Sequence, residues 1–142
     1  MMERKATAMW EGDLKGGKGR VKLGTGAFEG PYTFKSRFEG NEETNPEELI
    51  GAAHAGCFSM ALTSALVKAG FEPKRIKTDA KVQLDQVDQV FKISKVDLMT
   101  EAEVPKIDET KFRELAESAK KDCIVSRALT GVNTTLSAKL VG

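Results

Sequence analysis

NPEELIGAAHAGCFSMALTSALVK, residues 45–68, decides how the chain is read. Asn45 suits a helix N-cap and Pro46 the first helical position. Glu48 stands three residues after the cap, where a side chain reaches back in a capping box. With Gly70 as terminator, these signals predict a helix to about Lys68. Leu49 to Val67 carries no formal charge and approaches the roughly 20 residues that span a bilayer. The stretch is mostly Ala, Gly, Ser and Thr, with His54 in its middle. Such a helix, weakly apolar on nearly every face, fits the buried centre of a soluble domain better than a membrane span.

Outward from this helix the pattern changes period. On the amino-terminal side, KATAMW, GRVKLG and YTFKSRF read as short strands, punctuated by GDLKGGKG and GAFEGP. EGNEETN, residues 39–45, is a polar loop. On the carboxy-terminal side, IKTDAKVQLD and VFKISKVDLMTEAEV alternate as long antiparallel strands joined at QVDQ, each with one face buried. Pro105 stops the second run. Asp108 caps a second helix, ETKFRELAESAKK, with Phe112, Leu115, Ala116 and Ala119 on one side. CIVSRAL is a turn or short helix, and TTLSAKLV a closing strand. Strands, helix, strands, helix, strand is an α+β order, expected to form one domain over residues 1–142.

Composition narrows the function classes. Lys and Arg number 22 against 21 Asp and Glu, a formal charge of +1, so no electrostatic footprint for nucleic acid is present. KGGKGRVK, residues 15–22, is basic but has no interleaved aromatics, and reads as a solvated hairpin loop. The GGKG within it lacks the spacing and the Ser or Thr of a phosphate-binding loop. No apolar segment of signal-peptide length follows the charged start MMERK, so the expected location is the cytoplasm. One His and two Cys make three soft ligands, where structural zinc takes four. No bound metal, nucleotide or flavin is expected.

The two cysteines, Cys57 and Cys123, carry the remaining chemistry. A buried Cys can be a small hydrophobe. A thiol attacks only as the thiolate, and desolvation in an apolar helix opposes that form. A working Cys57 therefore needs a cation beside it. His54 lies three residues back on the same helix face. Arg37, at the end of YTFKSRF, is the other candidate: it is always charged and donates in a fork. A carboxylate is needed to hold a buried Arg, and Glu47 is placed for that. Glu48 keeps its capping role, and His54 reads as packing or hydrogen-bonded structure. Whether Cys123 reaches Cys57 depends on a fold that brings their Cα atoms within about 7 Å.

RFEG at 37–40, TNPEELIGAAHAGCFSMAL at 44–62, and Cys123 followed by VS resemble the OsmC/Ohr family of hydroperoxide reductases. MWEGDLKGGKG resembles the OsmC branch of it, and the similarity runs along essentially the whole chain. The resemblance implies an α+β fold in which antiparallel sheets wrap central helices of an intertwined homodimer. It implies a thiol-dependent peroxidase that reduces organic hydroperoxides to alcohols, recycled by an external dithiol, lipoyl groups in particular. Cys57 matches the peroxidatic cysteine, Cys123 the resolving cysteine, Arg37 the activating arginine and Glu47 the glutamate that holds it. Ten residues of straight helix separate Glu47 from Cys57 by about 15 Å. A long Arg37, a bend near Gly51 or a second subunit would have to close that gap. Ile124 stands where the family commonly has proline, which bears on the chain path after Cys123. Three other readings remain: a Cys57–His54 hydrolase, a dimeric protein holding a lipid-like ligand between its helices, and a peroxide sensor signalling through the same disulfide.

Overall fold

A computed structural model describes all 142 residues, in two compact units, Met1–Leu49 and Ile50–Gly142. The first contains strands β1 (Ala6–Glu11), β2 (Lys18–Leu23) and β3 (Glu29–Tyr32), an antiparallel meander in that order. Trp10 and Tyr32 pack across β2, their ring centroids 5.4 Å apart. They meet over Gly19, where a Cβ would collide with both rings. Only glycine leaves that gap, so the hydrogen-bonded register and the ring pair depend on the same residue.

YTFKSRF is not one strand. Only Tyr32 belongs to β3, and a short helix, α1 (Phe34–Phe38), follows. The reason is local. The Thr33 hydroxyl accepts from the Ser36 backbone N–H, and the Ser36 hydroxyl accepts from the Thr33 N–H, a reciprocal cap that turns the chain. The change of element puts Arg37 on a helical turn instead of a pleat.

The long helix α2 spans Pro46–Lys68, as its end signals predict. Asn45 Oδ1 accepts the Glu48 N–H at 2.7 Å. The Glu48 carboxylate accepts from the Thr44 hydroxyl, so only half of the capping box forms. At the other end Gly70 has φ of +93° and the Phe71 N–H returns to the Leu66 carbonyl, a left-handed stop.

In the second unit β4 (Arg75–Val87) and β5 (Val90–Glu103) form a long antiparallel hairpin. It turns at Asp88 and Gln89, both with positive φ, as two-residue hairpins require. Helix α3 (Glu109–Asp122) and the short α4 (Ile124–Ala128) lead to β6 (Asn133–Val141). The Asp108 side chain accepts from the Lys111 N–H at the start of α3. β6 returns parallel to β5, giving a sheet of order β4-β5-β6. A parallel return needs a crossover of a dozen residues or more, and α3 with α4 supplies it.

The core of this unit joins three faces. Val96, Leu98 and Ala102 come from β5, Phe58, Leu62 and Leu66 from α2, and Phe112, Ala116 and Ala119 from α3. On α2 the buried residues recur every fourth position from His54 through Phe58 and Leu62 to Leu66. The expectation of a helix buried on nearly every face is corrected here. One stripe is covered, while Ala52, Ala53, Gly56, Met60 and Val67 are exposed. By length and composition α2 could cross a bilayer, yet its stripe of Phe and Leu packs in a protein core.

Candidate active site

The predicted site residues fall in two places. In the first unit Arg37 and Glu47 form a two-pronged ion pair. Arg37 Nε donates to Glu47 Oε1 at 3.1 Å and a terminal guanidinium nitrogen to Oε2 at 3.2 Å. Glu47 is buried and Arg37 half-exposed. A fork on a carboxylate fixes the guanidinium plane, which a single contact would not do. Arg37 also lies over the Phe38 ring, 5.5 Å from its centroid.

In the second unit Cys57 and Cys123 come together, both as free thiols. Cys57 is carried on α2 one residue before the buried Phe58, which leaves its thiol at the edge of the core. Cys123 is fully buried at the junction between α3 and α4. The Val125 N–H points at Cys57 Sγ, 3.5 Å away. The backbone at Cys123, φ −56° and ψ 123°, is extended, as for a residue that precedes proline. Ile124 then opens α4 at the position proline favours, so the chain path is the one proline would impose.

The two thiols differ in environment. Burial raises Cys57 above its ordinary value and the neighbouring Cys123 adds to the rise, while the Val125 N–H opposes it. Burial acts on Cys123 as well, but the Ser126 hydroxyl and backbone beside it outweigh burial and shift that thiol below its ordinary value. An open cavity of about 630 Å³ reaches Cys57. Met60, Ala61, Leu115 and Ile124 give it apolar walls, and Lys68 lies on its rim. No three His, Cys, Asp or Glu side chains gather as metal ligands would.

His54 is fully buried on the core stripe of α2. Its Nε2 lies 2.6 Å from the Ser126 hydroxyl, and Nδ1 has no partner. The sequence reading missed Ser126. A polar residue on a buried stripe demands a partner, but periodicity cannot say which residue, and this one lies on another helix. Burial pulls the imidazole below its ordinary value of 6.5. As the pH falls below about 6.5, the unfolded chain takes up this proton before the folded one. The folded state is therefore fully stable above that value and loses stability as pH drops toward the lowered folded-state value. The depressed carboxyls of Glu43, Asp85 and Asp97 act in the same direction only below their ordinary values of 4.5 and 3.8. Urea midpoints should fall between about pH 6.5 and 5 in the native protein and stay flatter in His54→Gln. Equal slopes in the two proteins would contradict the assignment.

Comparisons with known proteins agree on one kind of relative. The family model described as OsmC-like protein matches residues 39–137. The chain is 51% identical over 129 residues to peroxiredoxin OsmC of Escherichia coli strain K12, covering 90% of each protein. It is 33% identical over 94 residues to the organic hydroperoxide resistance protein OhrB of Bacillus subtilis, covering 66% of this chain and 67% of that one. The crystal structure of an organic hydroperoxide resistance protein from Elizabethkingia anophelis has the same fold. The TM-score is 0.79 at 24% identity, covering 99% of this chain and 98% of that one.

Proposed function

The chain belongs to the OsmC-like family, and we propose that it is a thiol peroxidase reducing organic hydroperoxides to alcohols. The observation that carries this reading is the meeting of Cys57 and Cys123 beside an open, apolar-walled cavity. The Cys57 thiolate attacks the outer peroxide oxygen. The O–O bond breaks, the alcohol leaves with a proton, and Cys57 becomes a sulfenic acid. Cys123 closes on it, forming the disulfide and releasing water. An external dithiol of the lipoyl type restores both thiols by exchange. The cycle needs no bound cofactor or metal.

Burial of Cys57 opposes its ionisation, so the mechanism needs a fixed positive charge at the reacting sulfur. Arg37 has that role in our reading, with Glu47 as the group that orients it. Their two-pronged pair supports it: the geometry is that of a guanidinium held in one plane. We further propose a homodimer in the cytoplasm. The exposed stripe of small and apolar residues on α2, Met60 and Val67 among them, is the surface that a second copy would cover.

One equivalent of cumene hydroperoxide added to the reduced protein tests the reading. Thiol counting and intact mass should show both thiols lost as a Cys57–Cys123 disulfide. Two thiols left intact would overturn it.

A further inference from the structure

The peroxidase chemistry leaves the buried His54 imidazole unused, yet the ring is tied to the segment that touches the reacting sulfur. Two hydrogen bonds join α2 to α4. His54 Nε2 meets Ser126 Oγ at 2.6 Å, and the Val125 N–H donates to Cys57 Sγ at 3.5 Å. On α2 the two residues stand three apart, within one turn and on one face. On α4 they are neighbours in sequence. All four belong to the second unit. The Val125 N–H is free to serve the sulfur because the first turn of a helix leaves its N–H groups without partners inside the helix.

Little else holds α4 in place. It is five residues long, none of them fully buried, and no side chain caps its start. Val125 packs against the core, but an apolar contact sets a distance and not a direction. The Ser126 bond to α2 is directional and fixes the rotation. His54 is its rigid end, fully buried on the core stripe of α2. Its Nδ1 has no partner, and a buried N–H with no acceptor is disfavoured more than a bare lone pair. The neutral ring therefore carries its proton on Nε2 and donates to Ser126.

We propose that His54 and Ser126 are positioning residues that lock α4 against α2, so that the Val125 N–H stays aimed at Cys57 Sγ and stabilises its thiolate. The proposal rests on the peroxidase reading and assigns the pair to its first step. A sulfur with a full negative charge draws an N–H more strongly than a neutral thiol does, so the bond tightens as Cys57 gives its proton to solvent. Burial raises the Cys57 thiol, and the Val125 N–H is foremost among the groups that oppose the rise. The donor supplements the charge assigned to Arg37, because a backbone dipole is weaker than a full cation.

Few other groups compete for this role. The titratable groups in the cluster are His54 and Cys57 on α2 and Cys123 before α4. Lys68 and Asp122 line the cavity that reaches Cys57, both exposed to solvent, which screens them. Burial lowers His54, so at pH 7 and above the ring is a neutral donor and not a cation.

The test uses Cys123→Ser as parent, in which Cys57 is the sole thiol and its titration is uncoupled. The NMR shift of a labelled Cys Cβ, followed against pH from 7 upward, reads the Cys57 thiolate directly. Adding Ser126→Ala should raise the midpoint by about one unit, a tenfold loss of thiolate at neutral pH. Ser126→Thr, which keeps the hydroxyl, should restore it. His54→Leu should raise it, and His54→Gln, which keeps an N–H, should recover most of the shift. Ser126→Ala removes one oxygen from a half-buried site, so it tests the link even where His54→Leu does not fold. The Val125 amide proton should move with the Cys57 titration in the parent and less far in Ser126→Ala. With both cysteines present, Ser126→Ala should form sulfenic acid about tenfold more slowly at neutral pH and reach the native rate above the raised midpoint. Midpoints and Val125 shifts in Ser126→Ala that superimpose on the parent's would overturn the proposal, whatever happens to the urea midpoint, and would leave the pair a packing contact. Failure of the native protein to lose its thiols would instead count against the peroxidase reading, since the titration does not depend on peroxide.

Discussion

Cys57→Ser should abolish hydroperoxide reduction, with kcat/KM falling at least about a thousandfold. A serine hydroxyl is neither ionised at neutral pH nor able to cycle through a sulfenic acid. Cys123 cannot take over, because its side chain is fully buried and the cavity opens on Cys57. Cys123→Ser should fail differently. The first turnover survives, but Cys57 then stalls as sulfenic acid and passes to sulfinic acid under excess peroxide. Peroxide consumption with a dithiol present, together with intact mass, separates the two variants. Residual turnover in Cys57→Ser at a tenth of the native rate would remove Cys57 from the chemistry. It would favour the reading in which the helices hold a ligand without turnover.

Phe112→Ala should be the most destabilising truncation away from the thiols, at about 3–5 kcal/mol. Phe112 is fully buried and comes from α3 into the cluster formed with α2 and β5. Removing its ring leaves a void in that cluster, and a stiff sheet cannot collapse into the gap. Val90→Ala on the exposed end of the hairpin is the control, expected within about 0.5 kcal/mol of the native protein. Urea unfolding at one protein concentration measures both. A loss below about 1 kcal/mol at Phe112 would mean that α3 is not part of the core that β5 organises.

The two predictions draw on different kinds of information. The ends of α2 were legible because caps are local: Asn45, Pro46 and Gly70 act within a turn of themselves. The hairpin was legible because alternation states which face is buried. YTFKSRF was misread because its aromatic, strand-like composition competed with a Thr33–Ser36 cap that composition does not display. The roles expected of Glu47 and Cys57 came from the resemblance along residues 44–62, that of Arg37 from RFEG and that of Cys123 from the VS after it, not from periodicity.

By itself the sequence determined the α+β order, the central helix and the family, because these depend on short-range caps, alternation and contiguous motif residues. Only the tertiary structure decided that β6 runs parallel to β5, that Cys123 meets Cys57, and that Ser126 is the partner of His54. Each of those joins residues far apart along the chain. Their approach is set by how α3 and α4 cross back over the sheet, and no local preference encodes that path.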